Sequence, residues 1–173
     1  MLFRSLRNHG IVNKFEFRRI GFSAKMNEIE AAVGVGNIRI FAEILAKRRR
    51  NLLYLIDLFK KFDPYFLYVQ EGPGEKIGPH AFSVILRAGL PFRKDELVSY
   101  LDEAGVDSRN LFYSMPTQCP SYPFPGYHLG DFPEAPYCAD QGFHIGIHQD
   151  IELDQLDYVA EVVETFLKGR GLA

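Results

Sequence analysis

The chain has 173 residues, 20 Lys and Arg against 22 Asp and Glu, and 47% apolar residues, which suits one soluble globular domain with its own core. The balanced charge argues against a binder of nucleic acid or membrane surfaces, because such proteins normally carry a basic excess. No secretory signal and no apolar stretch of about 20 residues is evident, so we expect a cytoplasmic protein without a membrane span.

The first predicted elements are short. Residues 15–17 alternate between apolar and polar side chains, which is typical of a strand. Asn27 and Glu30 have the spacing of a helix capping box, and an apolar stripe follows them. The sequence predicts a short helix here that ends near Gly34 or Gly36.

A long helix is predicted next. Apolar residues recur every three or four positions from Ile38 to Phe62, and Pro64 marks the end of this pattern. The basic run at 47–50 lies within this helix and is offset by neighbouring acidic residues such as Glu43. We therefore interpret the run as a solvated helix face that forms ion pairs.

The remaining chain alternates predicted strands and helices around a proline-rich segment at 114–136, which we interpret as an ordered surface loop. The predicted strands are 66–70, 81–87 and 143–147, and the predicted helices are 93–104 and 153–167. The sum is an α+β fold, in which a long helix packs on a small, mostly antiparallel sheet with flanking helices.

Motifs that carry chemistry are few. His144 and His148 share one side of a predicted strand, with Asp150 as a third candidate ligand, but so few ligands converge that we expect no metal site. The cysteines Cys119 and Cys138 form no CxxC pair, and we expect reduced thiols. Phosphate-binding and nucleophile-elbow motifs are absent from the sequence, so no catalytic residue is assigned.

Several segments, in a fixed order along the chain, carry a family resemblance. They are Arg-Ser-Leu-Arg-Asn-His-Gly at 4–10, the segment 21–34, Gly-Val-Asp-Ser-Arg at 105–109, Met-Pro-Thr-Gln at 115–118 and Gly-Phe-His-Ile-Gly at 142–146. Together they resemble the DegT/DnrJ/StrS family of pyridoxal-phosphate-dependent nucleotide-sugar aminotransferases over essentially the whole chain.

The resemblance implies a type I aminotransferase fold of the α/β superfamily, in which a large cofactor domain precedes a small α+β domain. Residue 1 would follow the family's Schiff-base lysine, so 1–36 would be a remnant and linker of the large domain and 37–173 the C-terminal small domain. The cofactor implied for the complete enzyme is pyridoxal 5'-phosphate, which this chain is not expected to bind covalently. We predict that the isolated chain does not transaminate.

The resemblance also implies cofactor-binding residues. Near residue 23 the family usually carries Asn, followed two positions later by Arg or Lys, and this loop reaches the neighbouring subunit's cofactor phosphate. Here Ser23 replaces the Asn and Lys25 keeps the positive charge, and both groups can donate to a phosphate. A helix-approach loop without a ligand is the alternative interpretation.

Four further residues are implied to bind substrate. Arg109 follows a family-like turn, and its guanidinium suits either a phosphate or a structural carboxylate. Thr117 stands where many relatives place a histidine that meets the sugar nucleotide, and Gln118 follows it in the same loop. His148 is a further candidate cleft residue.

The function implied by the resemblance is amino transfer to a nucleotide-linked keto sugar, in amino-sugar or polysaccharide biosynthesis. One alternative is a pyridoxamine-dependent 3-dehydratase of a 4-keto-6-deoxy sugar, whose Arg-x-Leu-Phe pattern recurs from Arg109 onwards. Another is a non-catalytic association domain, and a gene fragment without function is a third. The implied partners are a nucleotide-sugar substrate and either a second copy, as a homodimer, or a complementing N-terminal half.

Overall fold

The structure, a computed structural model, describes residues 2–14, 16–111, 126 and 131–172. It divides into two compact units, Met1–Ala42 and Glu43–Ala173. Among the helices within the described ranges, none is long and apolar enough to cross a membrane.

The first unit begins with a helix, α1 (Leu2–Arg7), that the sequence analysis did not predict. An antiparallel hairpin of β1 (Ile11–Asn13) and β2 (Glu16–Phe17) follows, and β2 confirms the short strand expected around residue 16. An isolated antiparallel β-bridge pairs Asn8 with Ser23, and the chain then continues into the long helix.

The long helix α2 (Glu28–Phe59) is continuous over 32 residues. Its capping box is as predicted, because the backbone N–H of Glu30 donates to Asn27 Oδ1 at 2.9 Å and that of Asn27 donates to Glu30 Oε2 at 3.0 Å. The predicted end near Gly34 or Gly36 is wrong. Each glycine costs about 1 kcal/mol of helix propensity but keeps its N–H donor, so neither interrupts the hydrogen-bond ladder as a proline would.

The second unit contains a four-stranded antiparallel sheet in the order β3-β4-β6-β5, which confirms the predicted sheet type. The predicted strands at 66–70, 81–87 and 143–147 are confirmed within two residues at each end. The edge strand β5 was not predicted as a strand. The four strands are β3 (Phe66–Tyr68), β4 (Ala81–Leu86), β5 (Ser108–Asn110) and β6 (Gly142–Gly146).

Helices α3 (Lys94–Glu103) and α5 (Leu153–Lys168) confirm the two predicted helices. Helix α4 (Glu134–Gln141) corrects the expected loop at 114–136, whose last three residues are helical. Pro133 and Pro136 are compatible with this helix because the N–H groups of a first turn have no intrahelical partner.

The core lies on one face of the sheet. The second half of α2 and the apolar stripe of α5 supply buried residues to the same cluster as alternate residues of β4 and β6. Its largest fully buried side chains include Leu52, Leu55, Phe59, Phe62, Phe66, Phe82, Phe143 and Leu156. Because side chains alternate along a strand, the intervening residues of β4 and β6 lie on the other face.

Candidate functional site

A row of polar side chains crosses the face of the sheet opposite the core. His144 on β6 pairs with Ser83 on β4 and with Arg109 on β5. Directly paired residues of antiparallel strands place their Cβ atoms about 5 Å apart on the same side of the sheet. Ser83, His144 and Arg109 therefore lie next to one another across three strands.

A cleft of about 260 Å³ opens beside this row. It brings together residues from α2, from the segment before β4, from the β5 region and from β6 with the loop that follows it. We call it the β5–β6 cleft, and its lining residues are Arg48, His80, Ala81, Asp107, Arg109, His144, Gly146, Ile147 and His148.

The electrostatics of the cleft disfavour a charged His144. Partial burial lowers the pKa of His144 below its ordinary value, and the neighbouring His80 and Arg109 lower it further. Asp107 acts in the opposite direction but is outweighed. His144 is therefore mainly neutral at pH 7. The cleft also groups basic side chains, which are the arginines and histidines among its lining residues.

The loop after β6 is fixed to helix α2. The buried Asn51 donates from Nδ2 to the carbonyl oxygen of His148 at 2.7 Å and to that of Ile151 at 3.3 Å. Arg48 donates from Nε to Gln149 Oε1 at 3.1 Å. These bonds hold His148 at the mouth of the cleft, with its Nδ1 atom 3.4 Å from the Asp150 carboxylate.

The predicted ion pairs of the basic run are confirmed. Lys47 pairs with Glu43 at 2.9 Å, and Arg49 forms two bonds of 2.6 Å with the carboxylate of Glu71. Arg50 donates to the carbonyl oxygen of Ile151 at 3.0 Å. Most of the run therefore stabilises the second unit.

The structure corrects the expectation that His144 and His148 share a strand. Strand β6 ends at Gly146, so His148 belongs to the following loop although both side chains line the cleft. Within the described part of the chain, no group of three or more His, Cys, Asp or Glu residues could hold a metal ion.

The six predicted site residues are not all brought together. Arg109 and His148 both line the β5–β6 cleft, whereas Ser23 and Lys25 are exposed in the first unit. Thr117 and Gln118 lie outside the described residues. Sequence reasoning also missed His80, which lies just before β4 and lines the cleft, and Ser83, which pairs with His144 through the strand register.

None of the lysines of this chain has the buried setting that a covalent anchor for pyridoxal phosphate needs. Every lysine of the chain lies in the described ranges, and none is buried. A Schiff-base lysine needs a desolvated pocket that lowers its pKa, whereas ion pairing raises the pKa of Lys47 and Lys60. Ser23 and Lys25 can contact the cofactor phosphate as donors, but the residues of this chain do not fit the complete group.

The chain is similar to known proteins both in sequence and in structure. In sequence, the chain is 28% identical over 160 residues to the lipopolysaccharide biosynthesis protein RfbH of Salmonella typhimurium, covering 91% of this chain and 36% of the relative. It is 23% identical over 159 residues to the dTDP-4-amino-4,6-dideoxy-D-glucose transaminase of Shigella dysenteriae, covering 91% of this chain and 42% of that protein.

A solved structure with higher identity is a mutant GDP-4-keto-6-deoxymannose-3-dehydratase with bound GDP-perosamine. It is 30% identical, with a TM-score of 0.72, and the match covers 86% of this chain and 38% of that one. The chain thus spans about two fifths of the length of the proteins it matches. A family model, that of the DegT/DnrJ/EryC1/StrS aminotransferase family, matches residues 2–164. The chain therefore belongs to the DegT/DnrJ/EryC1/StrS aminotransferase family.

Proposed function

We propose that this chain is the C-terminal portion of a pyridoxal-phosphate-dependent aminotransferase that acts on nucleotide-linked keto sugars. The observation that carries the proposal is the family match over residues 2–164. The names of similar proteins, which include a transaminase of a dTDP-linked sugar and a lipopolysaccharide biosynthesis protein, support the substrate class and the biosynthetic role. Such a reaction takes place in the cytoplasm, where nucleotide sugars are made.

The catalytic lysine of this proposal lies outside the chain. Residues 1–36 form a remnant and linker of the cofactor domain, and 37–173 form the small domain. The absence of a buried lysine among those of the chain supports a separate source for the Schiff base. The chain alone is inactive, and pyridoxal phosphate binds covalently only to the cofactor domain.

The apolar surface of the first unit supports an interface in the complete enzyme. Phe3, Ile20, Ile29 and Ile38 are 88%, 91%, 79% and 76% exposed, and they belong to a larger set of exposed apolar side chains in the same unit. Apolar surface of this extent is unusual on a stable monomer. The cofactor domain and a second subunit cover it in the assembled homodimer.

Within that assembly the chain contributes groups of two kinds. Ser23 and Lys25 donate hydrogen bonds and charge to the cofactor phosphate of the neighbouring subunit. Arg109, Thr117, Gln118 and His148 contact the nucleotide-sugar substrate. Pyridoxal phosphate supplies the electron sink for amino transfer when it is bound, and the residues of this chain orient the substrate and its charged groups.

The test is reconstitution. The chain is coexpressed with a cofactor domain of the family that carries the Schiff-base lysine, and amino-sugar formation from a nucleotide-linked keto sugar and glutamate is followed by mass spectrometry. We expect product from the pair and none from either half. Product from the chain alone, or none from a correctly assembled pair, would refute the proposal, and a 3-deoxy product would identify the dehydratase instead.

A matched pair of variants tests the role of the loop. Lys25→Gln removes an exposed ammonium without a hydrogen bond or ion pair to any described residue, and we expect about tenfold lower activity of the reconstituted enzyme. Lys76→Gln removes the same charge from an exposed position in the second unit and should leave activity unchanged. Equal effects of the two substitutions would contradict a specific phosphate contact.

A further inference from the structure

The loop that carries the exposed Ser23 is fixed to helix α1 through its backbone. The N–H of Phe22 donates to the carbonyl oxygen of Leu6 at 2.7 Å, and the N–H of Ala24 donates to that of Arg7 at 3.0 Å. The last carbonyl groups of a helix have no partner within the helix, so the loop completes the hydrogen bonding of α1. The two bonds flank Ser23, and its backbone is therefore held although its side chain is exposed.

His9 joins the two segments in an unfavourable backbone conformation. Its φ is 60°, and it is the one residue other than glycine with a positive φ in the part of the chain that the structure describes. Such a conformation crowds the Cβ atom against the backbone and persists only where the surroundings fix it. Here the His9 N–H donates to the carbonyl oxygen of Phe22 at 3.0 Å, next to the bridge between Asn8 and Ser23. The strained residue thus lies where the loop is attached.

Next to His9 the chain crosses itself, backbone against backbone. A Cβ atom on Gly10 would lie 1.8 Å from the carbonyl oxygen of Arg19, and one on Gly21 would lie 2.1 Å from the Gly10 nitrogen. Both distances are far shorter than any contact between non-bonded heavy atoms. Gly10 is also buried and has a φ of +82°. Only glycine therefore fits at this crossing, which sets the path of the chain two residues before Ser23.

We propose that His9, Gly10 and Gly21 are positioning residues, which hold the loop of Ser23 and Lys25 in the conformation that receives the cofactor phosphate. The inference rests on the proposed function, because that function gives this loop its contact with the phosphate. A loop binds more tightly when it is ordered before the ligand arrives, since less conformational freedom is then lost on binding. Support from the backbone matters most for donors such as Ser23 and Lys25, whose side chains are exposed.

The role assigned to His9 belongs to its backbone and not to its imidazole. Glycine adopts a positive φ without steric cost, and asparagine adopts it more readily than most residues, whereas a β-branched side chain is the least compatible with it. His9→Gly and His9→Asn should therefore keep the loop in place, and His9→Val should release it. An imidazole that binds a ligand predicts a different order, in which all three substitutions are equally damaging.

Hydrogen exchange of the full chain, followed by mass spectrometry on peptides that cover 20–26, tests the geometry. We expect exchange of this segment to be about tenfold faster in His9→Val, and at least as fast in Gly21→Ala. His9→Gly and His9→Asn should exchange as the wild type does. Gly74→Ala is the matched control, because Gly74 has a φ of +79° but no atom lies within 4 Å of the added Cβ. This control should leave the segment 20–26 unchanged.

Retention of pyridoxal phosphate by the chain coexpressed with a cofactor domain tests the consequence. The dissociation constant, measured from cofactor absorbance, should rise about tenfold for His9→Val and stay within about twofold of the wild type for His9→Gly. At saturating cofactor, the KM for the keto sugar should not change. A purely structural role would lower the folded fraction of the chain, measured by urea unfolding, but would leave the dissociation constant of the assembled pair unchanged.

The proposal is overturned if His9→Gly weakens cofactor binding as much as His9→Val does, or if none of the substitutions changes the exchange of the loop. It is also overturned if His9→Val speeds exchange while the dissociation constant stays that of the wild type. Neither readout needs catalysis. A pair that retains the cofactor but forms no amino sugar would refute only the proposed reaction. An active pair whose variants all retain the cofactor equally would refute only the positioning role.

Discussion

Asn51 offers the sharpest test of how the second unit is held together. Its side chain is fully buried, and its amide donates to the carbonyl oxygens of His148 and Ile151 while its Oδ1 atom accepts from Arg50 Nε at 3.0 Å. Each carbonyl keeps one other donor, because Ile151 N–H bonds His148 O and Arg50 bonds Ile151 O. Asn51→Ala therefore removes two donated bonds and one accepted bond, and should lower the free energy of unfolding by about 2–3 kcal/mol.

The aspartate variant distinguishes the hydrogen bonds from mere packing. Asn51→Asp keeps the shape of the side chain but turns two donors into an ionised acceptor that faces two carbonyl oxygens. We expect a loss of about 3–4 kcal/mol at pH 7, larger than that of the alanine variant despite the smaller change in volume. The loss should shrink in mild acid, because the protonated carboxyl group regains one donor.

Urea unfolding of the full chain, followed by circular dichroism at fixed protein concentration, measures both values. Asn110→Ala is the matched control, because the Asn110 side chain is exposed and only accepts from Lys94 at 2.9 Å. We expect the control to change stability by less than about 0.5 kcal/mol. An aspartate variant that is as stable as the alanine variant at pH 7 would refute the role assigned to the amide donors.

Three further predictions follow from the same structure. Hydrogen bonds from Arg49 and from the Ile77 N–H lower the pKa of Glu71 to about 2. The stability that this carboxylate contributes is therefore complete above about pH 4.5 and is lost as the pH falls towards 2. In urea unfolding across that pH range, the Glu71→Gln variant should lose less free energy of unfolding than the wild type does. Ile29→Glu should reduce self-association of the chain in light scattering towards the 19.8 kDa monomer, whereas Asn37→Glu on the same helix should not. Gly105→Ala should cost about 1 kcal/mol in urea unfolding, since Gly105 has a φ of +79°, and Gly78→Ala, without a positive φ, should cost less.

The helices and strands of the second unit could be predicted because their patterns are long or well bounded. The stripe of α5 repeats over 16 residues, and the helix α3 ends one residue before Ala104, with Gly105 in the left-handed conformation that the sequence indicates. The glycines of α2 misled the prediction. A glycine favours a helix end only where its conformational freedom is used, and Gly34 and Gly36 do not take a positive φ.

Strand β5 and helix α4 could not be predicted because their own residues carry no pattern of a strand or a helix. Strand β5 has three residues, Ser-Arg-Asn, with no apolar alternation, and it is a strand because it pairs with β6 along its whole length. Helix α4 begins after a proline and includes another, which in isolation indicates a loop. For such segments, hydrogen bonds to a neighbouring element outweigh the local preference of the residues.

The same limit explains which parts of the cleft could be predicted. Arg109 and His148 were identified by resemblance, but His80 lines the cleft from the residue just before β4, and Ser83 lies beside His144 only through the register of β4 against β6. A residue on a central strand has a direct neighbour on each side, so it can collect side chains that are far apart in sequence. His144 holds that position between β4 and β5, whereas His148 lies beyond the strand. The imidazole of His144 is therefore the titratable group that lies between Ser83 and Arg109 in this row, and its place there follows from the pairing of three strands, which no local pattern in the sequence indicates.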